Sequence, residues 1–335
     1  MNLSVEKFLG SEGVVLDVRS PGEFSLGHIP GAVNLPLFTD KERAQVGTIY
    51  RREGKLNAIR LGWDLVTPKV SELIEEIERA VSDGVAKVHC WRGGMRSEGF
   101  AELTKVVGLE TVRLEGGYKA YRRWCHEIFE RPAEYRIVGG LTGTGKTGIL
   151  KELEKMGEQI LDLENLANHR GSAFGTIGMP DQPTTEQFHN DMAMALARFD
   201  PAKPIWIEDE SRMIGTCHIP DKFFLKMRNS SLYIVERPLE KRLEILNRVY
   251  GVSRPEGFIE AVEKIKKKLG GKKTQDVIEM ITDGKLKEAC TEVLKYYDSA
   301  YKYDVSRRNQ KINRIRGDTL DDEEVAKALL LSVKK

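Results

Sequence analysis

The sequence predicts an α/β chain of two domains, each built on a parallel β-sheet covered by helices, with a helical C-terminal part. Short apolar runs alternate with helical patterns from the start, and a charged, proline-containing segment interrupts them near residue 130. A strand, a glycine-rich loop and a helix then follow. A chain of 335 residues with 40% hydrophobic content is also long enough for two separate cores. We therefore expect domains over residues 1–130 and 131–335.

Four apolar runs in the first domain have the length and composition of buried strands. They are VVLDVRS (14–20), AVNLP (32–36), AKVHC (86–90) and TVRLEGG (111–117). Helical patterns occupy the segments near 68–82, 97–107 and 118–130. Strands that alternate with helices predict a parallel sheet with helices on both faces. The segment FERPAEY then carries a proline and charges between two regular patterns, and it predicts the domain boundary.

The loop VHCWRGGMRS follows the third of these runs and ends where a helical pattern resumes. It places Cys90 near a helix N-terminus, with Arg92, Arg96 and two glycines beside it. The N–H groups of a tight turn and two guanidinium groups favour an anion, so this thiol should ionise more readily than an ordinary one. The loop predicts a nucleophile and an anion site together. A buried cysteine that closes a strand is the alternative, although packing requires neither the glycines nor the arginines.

The second domain opens on YRIVGGLTGTGKTG, an apolar strand that runs into a glycine-rich loop and a helix. Gly140, Gly145, Lys146 and Thr147 fill the pattern G-x-x-x-x-G-K-[ST], with Gly143 inside the loop. Loop N–H groups can surround a diphosphate, Lys146 adds a positive charge, and the Thr147 hydroxyl can hold Mg²⁺. A chance match in a glycine-rich turn is the alternative. The strand before and the helix after predict a domain like those of P-loop NTPases.

A later apolar run, KPIWI, is followed by Glu208, Asp209 and Glu210. Ligands of open α/β sheets bind at the carboxyl ends of the strands. We therefore expect Asp209 or Glu208 near a metal ion or a bound water, with Thr147 as a further metal ligand. Solvated loop carboxylates are the alternative, and we expect that description to hold for at least one of the three acids.

Several arginines of the second domain predict further anion contacts. Arg170 and Ser172 lie in the loop NHRGSAFG, and Arg212 follows the acidic residues. Arg237, Arg242 and Arg248 lie on or near one helical segment. Arginines on such a helix could close over phosphates as a lid. Plain surface charge is the alternative for each of them.

The net charge is only +2, but the run KIKKKLGGKK (264–273) is strongly basic. It predicts either a footprint for a nucleic-acid backbone or a solvated helix face. Four scattered cysteines without a CxxC pair indicate neither a disulfide framework nor a zinc site. The sequence shows no secretory signal pattern and no window near the ~18 apolar residues of a spanning helix. We expect a soluble, cytoplasmic protein in a reducing compartment.

The segments LDVRSPGEFSLGHIPGAVNLP, the cysteine loop and LEGGY resemble a rhodanese-type domain. The P-loop after them, with DLENLANHRGSAFG, WIEDESRMIG and YYDSAYKY, resembles the tRNA 2-selenouridine synthase family, and the match covers nearly the whole chain. Enzymes of that family act on the wobble 2-thiouridine of certain tRNAs, which they S-geranylate from geranyl diphosphate. Selenium from selenophosphate then replaces the geranylthio group.

The resemblance implies tRNA, geranyl diphosphate and selenophosphate as substrates. It also implies that Cys90 is the rhodanese-loop cysteine needed for selenation, and that Gly145, Lys146 and Thr147 belong to the prenyl-diphosphate site. The spacing from Cys90 to Arg96 is C-x5-R, one residue longer than the usual sulfurtransferase loop and equal to that of phosphatases with this fold. The longer loop has room for a tetrahedral anion. We therefore expect selenophosphate there, with Arg92 and Arg96 on its oxygens and Cys90 next to selenium.

Three other functions are compatible with parts of the sequence. A phosphatase would explain the C-x5-R spacing but would leave the P-loop unused. A rhodanese-type sulfurtransferase fused to an ATP-dependent kinase would turn over ATP without tRNA. A non-catalytic RNA-binding module would require neither catalytic loop. The sequence is compatible both with a covalent bond between Cys90 and selenium and with a non-covalent role of the thiol.

Overall fold

The computed structural model describes residues 1–82, 84–172, 174–250 and 255–333. The chain divides into two compact units, Met1–Ile128 and Phe129–Lys335, close to the boundary that the sequence predicts. Among the described residues, no helix combines the length and the apolar character needed to cross a membrane.

The first unit contains a five-stranded parallel sheet with the strand order β1-β5-β4-β2-β3. Its strands are β1 (Asn2–Leu3), β2 (Val14–Asp17), β3 (Val33–Asn34), β4 (Val85–His89) and β5 (Glu110–Leu114). Its helices are α1 (Val5–Gly10), α2 (Pro21–Leu26), α3 (Asp40–Arg52), α4 (Lys55–Val66), α5 (Val70–Ala80), α6 (Met95–Val106) and α7 (Gly117–Glu130), with a 3-10 turn at Thr67–Lys69. The predicted parallel sheet is confirmed. Leu16, Ile77, Val88 and Phe100 form the centre of its core, and none of them is exposed.

Helices α3 and α4 occupy a stretch for which the sequence analysis gives no element. The start of α3 nevertheless carries a local signal, because Thr39 and Glu42 form a capping box. The Glu42 N–H donates to Thr39 Oγ1 at 3.3 Å, and the Thr39 N–H donates to Glu42 Oε2 at 2.8 Å. The helix buries no residue, so its hydrophobic pattern is weak although its N-terminus is well specified.

The second unit contains a five-stranded parallel sheet with the order β12-β11-β6-β8-β7, and a separate antiparallel pair β9–β10. Its strands are β6 (Tyr135–Gly139), β7 (Gln159–Leu161), β8 (Ile205–Glu208), β9 (Met213–Ile214), β10 (Cys217–His218), β11 (Ser231–Glu236) and β12 (Ile312–Arg316). Its helices are α8 (Lys146–Lys155), α9 (Leu163–Leu166), α10 (Thr185–Ala197), α11 (Asp221–Asn229), α12 (Leu239–Tyr250), α13 (Pro255–Lys264), α14 (Lys266–Leu269), α15 (Gly271–Thr282), α16 (Leu286–Ser306) and α17 (Asp322–Val333).

The helical C-terminal part that the sequence predicts is confirmed in α12 to α16, but the chain then returns to the sheet. Strand β12 pairs in parallel with β11, and α17 packs against α8. The sheet core is centred on Val138, Trp206 and Val325, none of which is exposed. A second apolar cluster, which includes Phe258, Val277 and Val293, joins helices α13, α15 and α16.

Candidate active sites

The cysteine loop connects β4 to α6 in the first unit. Cys90 is buried, and its Sγ lies 3.3 Å from Ser97 Oγ and 3.8 Å from the carbonyl oxygen of Gly94. Gly93 has a φ of 68°, and a Cβ at this position would approach the Leu114 carbonyl oxygen to 2.7 Å. Only glycine fits such a turn without strain. The loop therefore places the buried thiol just before the N-terminus of α6.

The start of α7, in the LEGGY segment, holds the cysteine loop in place. The N–H of Tyr118 donates to the Cys90 carbonyl at 2.8 Å, and the N–H of Lys119 donates to the Trp91 carbonyl at 2.9 Å. A Cβ on Gly117 would lie 2.3 Å from the Cys90 carbonyl oxygen. The glycine thus allows the close approach on which these two hydrogen bonds depend.

A buried ion pair packs against Tyr118, the residue that bonds to the cysteine loop. Arg19 and Asp17 are fully buried and lie 2.6 Å apart, and the Arg19 guanidinium stacks 3.7 Å from the ring centroid of Tyr118. Because the backbone N–H of Tyr118 also donates to the Cys90 carbonyl, the LDVRS segment at the end of β2 is connected to the cysteine loop through Tyr118.

The two arginines of the loop differ in their surroundings. Arg92 is exposed, whereas Arg96 Nη1 lies 2.7 Å from Glu23 Oε2. Burial raises the pKa of Glu23, but the hydrogen bond and charge of Arg96, with the Ser20 N–H and Arg43, outweigh it and lower that pKa to about 2. Glu23 is therefore ionised at neutral pH and holds Arg96. The sequence analysis did not single out Glu23, although its capping box with Ser20 at the start of α2 is a readable signal.

The P-loop joins β6 to α8 in the second unit and adopts the conformation that its glycines permit. Gly140, Gly143 and Gly145 have φ values of 151°, 85° and 80°. Helix α8 begins at Lys146, so its N-terminus faces a cleft of about 570 Å³. The cleft brings together most of the predicted anion-binding residues, namely Gly143, Gly145, Lys146, Thr147, Arg170 and Ser172. Such a helix start with its loop amides is a natural site for phosphate groups.

Buried carboxylates crowd beside Thr147. The Thr147 hydroxyl donates to Glu164 Oε2 at 2.8 Å, and the Glu164 N–H donates to Glu208 Oε1 at 2.7 Å. Burial, together with the nearby carboxylates, raises the pKa of Glu208 and raises that of Glu210 to about 8. Burial also raises the pKa of Glu164 against the opposing charge of Lys146. Glu164 and Glu210 line the cleft, and neither was assigned a role from the sequence.

Asp209 faces another part of the unit. Its carboxylate accepts a hydrogen bond from the Tyr301 hydroxyl at 2.8 Å and from Arg308 Nη1 at 2.9 Å. The Tyr301 oxygen in turn accepts the N–H of Gly140 at 3.0 Å. Side chains alternate along an extended segment, so Glu208 and its second neighbour Glu210 lie towards Glu164 while Asp209 lies towards α16. Asp209 therefore anchors the base of the P-loop.

Two of the arginines predicted to close over phosphates instead hold the P-loop backbone. Arg237 Nη1 donates to the Thr144 carbonyl at 3.0 Å and pairs with Asp322 at 2.8 Å. Arg242 Nε donates to the Thr142 carbonyl at 2.8 Å, and its guanidinium pairs with a carboxylate on α16.

The remaining predicted arginines lie in different environments. Arg248 lines the cleft. Arg170 also lines it, while its Nη1 donates to the Ile177 carbonyl at 2.7 Å. Arg212 pairs with Asp221 at 2.7 Å on the surface, where its side chain is 50% exposed. Arg212 and Arg237 are therefore not among the lining residues of the cleft, although Arg237 pairs with Asp322, which lines it.

The hydroxyl of Tyr301 offers a test of the P-loop anchor. We expect Tyr301→Phe to lower the free energy of unfolding by about 1–3 kcal/mol, because a buried carboxylate loses a donor and the Gly140 N–H loses its acceptor. Tyr303→Phe is a matched control on the same helix, since Tyr303 is 64% exposed. Urea unfolding followed by circular dichroism measures both. A loss no larger than that of the control would contradict the anchoring role.

Comparisons with known proteins agree with this arrangement. The family described as tRNA 2-selenouridine synthase AAA domain matches residues 133–330, and the rhodanese-like domain family matches residues 3–123. The tRNA 2-selenouridine synthase of Shewanella loihica is 34% identical over 342 residues, which cover 91% of each chain. That of a Sulfurovum species is 35% identical over 333 residues, covering 89% of this chain and 90% of its own. The chain, with a rhodanese-like unit followed by a P-loop unit, belongs to the tRNA 2-selenouridine synthase family.

Proposed function

We propose that this chain converts the wobble 2-thiouridine of tRNA to 2-selenouridine in two steps, using geranyl diphosphate and then selenophosphate. The observation that carries the proposal is the presence of two unlike anion loops in one chain of this family. One is a cysteine loop of the C-x5-R type, and the other is a P-loop at the start of α8. Each loop suits one of the two substrates.

In the first step, the thione sulfur of the uridine attacks the allylic carbon of geranyl diphosphate. A carbon–sulfur bond forms, the carbon–oxygen bond breaks, and the diphosphate leaves with the electron pair while the uridine loses its N3 proton. Lys146 and the N–H groups at the start of α8 stabilise the charge that develops on the leaving diphosphate. Arg170 and Arg248 line the same cleft and add positive charge.

The cleft also suits a magnesium ion bound together with the diphosphate. The Thr147 hydroxyl and Glu164 are hard oxygen donors 2.8 Å apart, and Glu208 Oε2 is buried without a hydrogen-bond partner. Among the described residues, no three acidic, histidine or cysteine side chains are arranged to hold a metal by themselves. Such a site fits Mg²⁺, which commonly keeps several waters and binds one or two carboxylates plus substrate phosphates. The ion would neutralise charge on the departing diphosphate.

In the second step, selenium from selenophosphate bonds to C2 of the uridine. The carbon–sulfur bond breaks, and the geranylthiolate leaves with the electron pair. Water hydrolyses the phosphorus–selenium bond and phosphate is released, so no redox partner is needed. Arg92 and Arg96 supply positive charge for the phosphate oxygens, and Cys90 lies next to selenium. Glu23 holds Arg96 in place at 2.7 Å.

Nucleoside analysis of thiolated tRNA tests the proposed function. With protein and geranyl diphosphate alone, we expect 2-geranylthiouridine to form. Addition of selenophosphate should then yield 2-selenouridine. Formation of 2-selenouridine without any geranyl diphosphate would contradict the two-step order. ATP turnover without tRNA, together with no geranyl transfer, would favour a sulfurtransferase fused to a kinase.

The basic run on α13 and α14 is proposed to bind the tRNA backbone. Lys264, Lys266, Lys267 and Lys268 are all exposed. Changing the four together to Gln should weaken tRNA binding and reduce the slope of log K against log salt by up to about 3.5, since each phosphate contact contributes roughly 0.7–0.9. Filter binding at several salt concentrations measures the slope. Inorganic diphosphate binding should be unchanged, and an unaltered tRNA slope would mean that the run is a solvated helix face.

A further inference from the structure

A second cavity adjoins the P-loop cleft. It has a volume of about 520 Å³, within the range of roughly 300–1,000 Å³ that is usual for small-molecule sites. The two cavities share Thr142, Leu246 and Tyr250 as lining residues. The second cavity, which we call the apolar chamber, is therefore a direct neighbour of the P-loop cleft, and these three residues lie at the border between the two.

The apolar and the charged lining residues of the apolar chamber differ in their exposure to solvent. Leu243, Phe258 and Leu294 are at most 8% exposed, whereas four charged or amide lining residues are exposed to solvent, namely Glu240, Glu244, Asn247 and Lys287. Buried or half-buried polar atoms also come from Thr142, Tyr250, Cys290 and Tyr297. The chamber thus has a polar mouth and an apolar interior.

Aromatic side chains build one wall of the chamber. The rings of Phe174, Tyr250 and Phe258 contact one another with centroid separations of 5.6 to 6.3 Å. Tyr250 also lines the P-loop cleft, where the Arg170 guanidinium lies 5.4 Å from its ring centroid. One side chain therefore borders both the anion-binding region and the apolar interior.

The apolar interior favours a hydrocarbon over a nucleobase. A purine presents several hydrogen-bonding groups that need partners when they are buried. Among the buried lining residues Tyr250 carries a hydroxyl, but Leu243, Phe258 and Leu294 offer no such partner. These apolar side chains suit a branched, unsaturated chain that gains free energy from leaving water.

We propose that the apolar chamber holds the hydrocarbon chain of an allylic diphosphate whose diphosphate lies on the P-loop, and that Leu294 limits the length of that chain. This inference rests on the proposed function and assigns a place to the non-reacting end of its first substrate. The reacting carbon then lies at the border of the two cavities, beside Thr142, Leu246 and Tyr250.

Leu294→Trp fills the chamber without changing the P-loop. Calorimetric titration with geranyl diphosphate should show at least about tenfold weaker binding, the loss expected when two or more buried methylene groups lose their site. Titration with inorganic diphosphate should be unchanged. The matched control is Leu331→Trp, because Leu331 is 64% exposed on α17. It should bind both compounds as the unaltered protein does.

Leu294→Ala enlarges the chamber and tests the proposal in the opposite direction. Farnesyl diphosphate, one isoprene unit longer than geranyl diphosphate, should gain about tenfold in affinity relative to geranyl diphosphate. This ratio is measured within one variant, so it does not depend on whether Leu294→Trp folds. An unchanged ratio in Leu294→Ala, or unchanged geranyl diphosphate binding in a folded Leu294→Trp, would overturn the chamber assignment.

The controls separate failure of the chamber from failure of the proposed function. If the unaltered protein and Leu294→Trp both geranylate tRNA with the same KM for geranyl diphosphate, only the chamber is wrong. If the unaltered protein binds geranyl diphosphate no more tightly than inorganic diphosphate and transfers no geranyl group, both are wrong. Tighter binding of ATP than of geranyl diphosphate, lost in Leu294→Trp, would assign the chamber to a nucleobase and overturn the proposal.

Discussion

Lys146→Ala should reduce geranyl transfer to tRNA by about 10²–10³-fold, the usual cost of removing one preorganised group that stabilises developing charge. Lys146 is the first residue of α8 and lines the cleft with Thr147 and Arg170. In the proposed first step, its ammonium group lies where the diphosphate gains charge as the carbon–oxygen bond breaks. Formation of 2-selenouridine from untreated thiolated tRNA should fall in parallel, because its precursor is no longer made. Mass spectrometry of the digested tRNA measures both nucleosides.

Two controls test whether the loss of activity is specific to the P-loop and to the first step. Lys155→Ala changes an exposed lysine at the other end of α8, where its partner is Glu152, and it should leave geranyl transfer unchanged. Pre-geranylated tRNA should restore selenation in Lys146→Ala, since the first step has already been carried out. Normal geranyl transfer by a folded Lys146→Ala protein would contradict the assignment of the diphosphate to the P-loop.

The anion loops could be predicted because each is a continuous stretch of sequence. The P-loop needs only a strand, its glycines, Lys146 and a helix, and all of these lie between residues 135 and 155. The cysteine loop is similarly local, with β4 before it and α6 after it. In both cases the backbone conformation follows from glycines with positive φ, which sequence patterns reveal well.

The residues that support these loops come from distant parts of the chain, so local patterns did not identify them. Tyr301 bonds to the Gly140 N–H across 161 positions, and Arg308 reaches Asp209 across 99. Asp322, at the start of the last helix, pairs with Arg237 beneath the P-loop. The Asp322 contact depends on the return of β12 and α17 to the sheet, and the other two depend on the packing of α16 and the residues after it. Local periodicity in the sequence does not predict either arrangement.

For the acidic residues after β8, the sequence predicted the position of the group but not the direction of each side chain. The expectation that carboxylates gather at the carboxyl ends of the strands agrees with Glu208 and Glu210. The sequence left open whether Asp209 or Glu208 lies near the metal, because that depends on which side each side chain takes. The structure directs Asp209 to Tyr301 and Arg308. Glu164 follows β7 at the same edge of the sheet, so the same rule could have identified it.

Cys90→Ser should abolish selenation and leave geranyl transfer intact, so that 2-geranylthiouridine accumulates in the tRNA. No step of the alkylation calls for a thiol, whereas selenium delivery is assigned to the loop where Cys90 Sγ lies 3.3 Å from Ser97 Oγ. Serine is close in size to cysteine but is not readily ionised at neutral pH, so the loop keeps its shape and loses its nucleophile. Pre-geranylated tRNA should not rescue this variant, in contrast to Lys146→Ala.

Cys125→Ser is the matched control, because Cys125 is a second buried cysteine of the first unit and burial raises the pKa of its thiol to about 12. An inert thiol of this kind should be dispensable, so selenation should continue in the control at a rate close to that of the unaltered protein. Intact-mass measurement of the unaltered protein after exposure to selenophosphate shows in addition whether selenium becomes bonded to Cys90, since the adduct should be absent from Cys90→Ser. Loss of geranyl transfer in a folded Cys90→Ser protein would contradict the division between the two loops. It would place the thiol in a centre that serves both reactions.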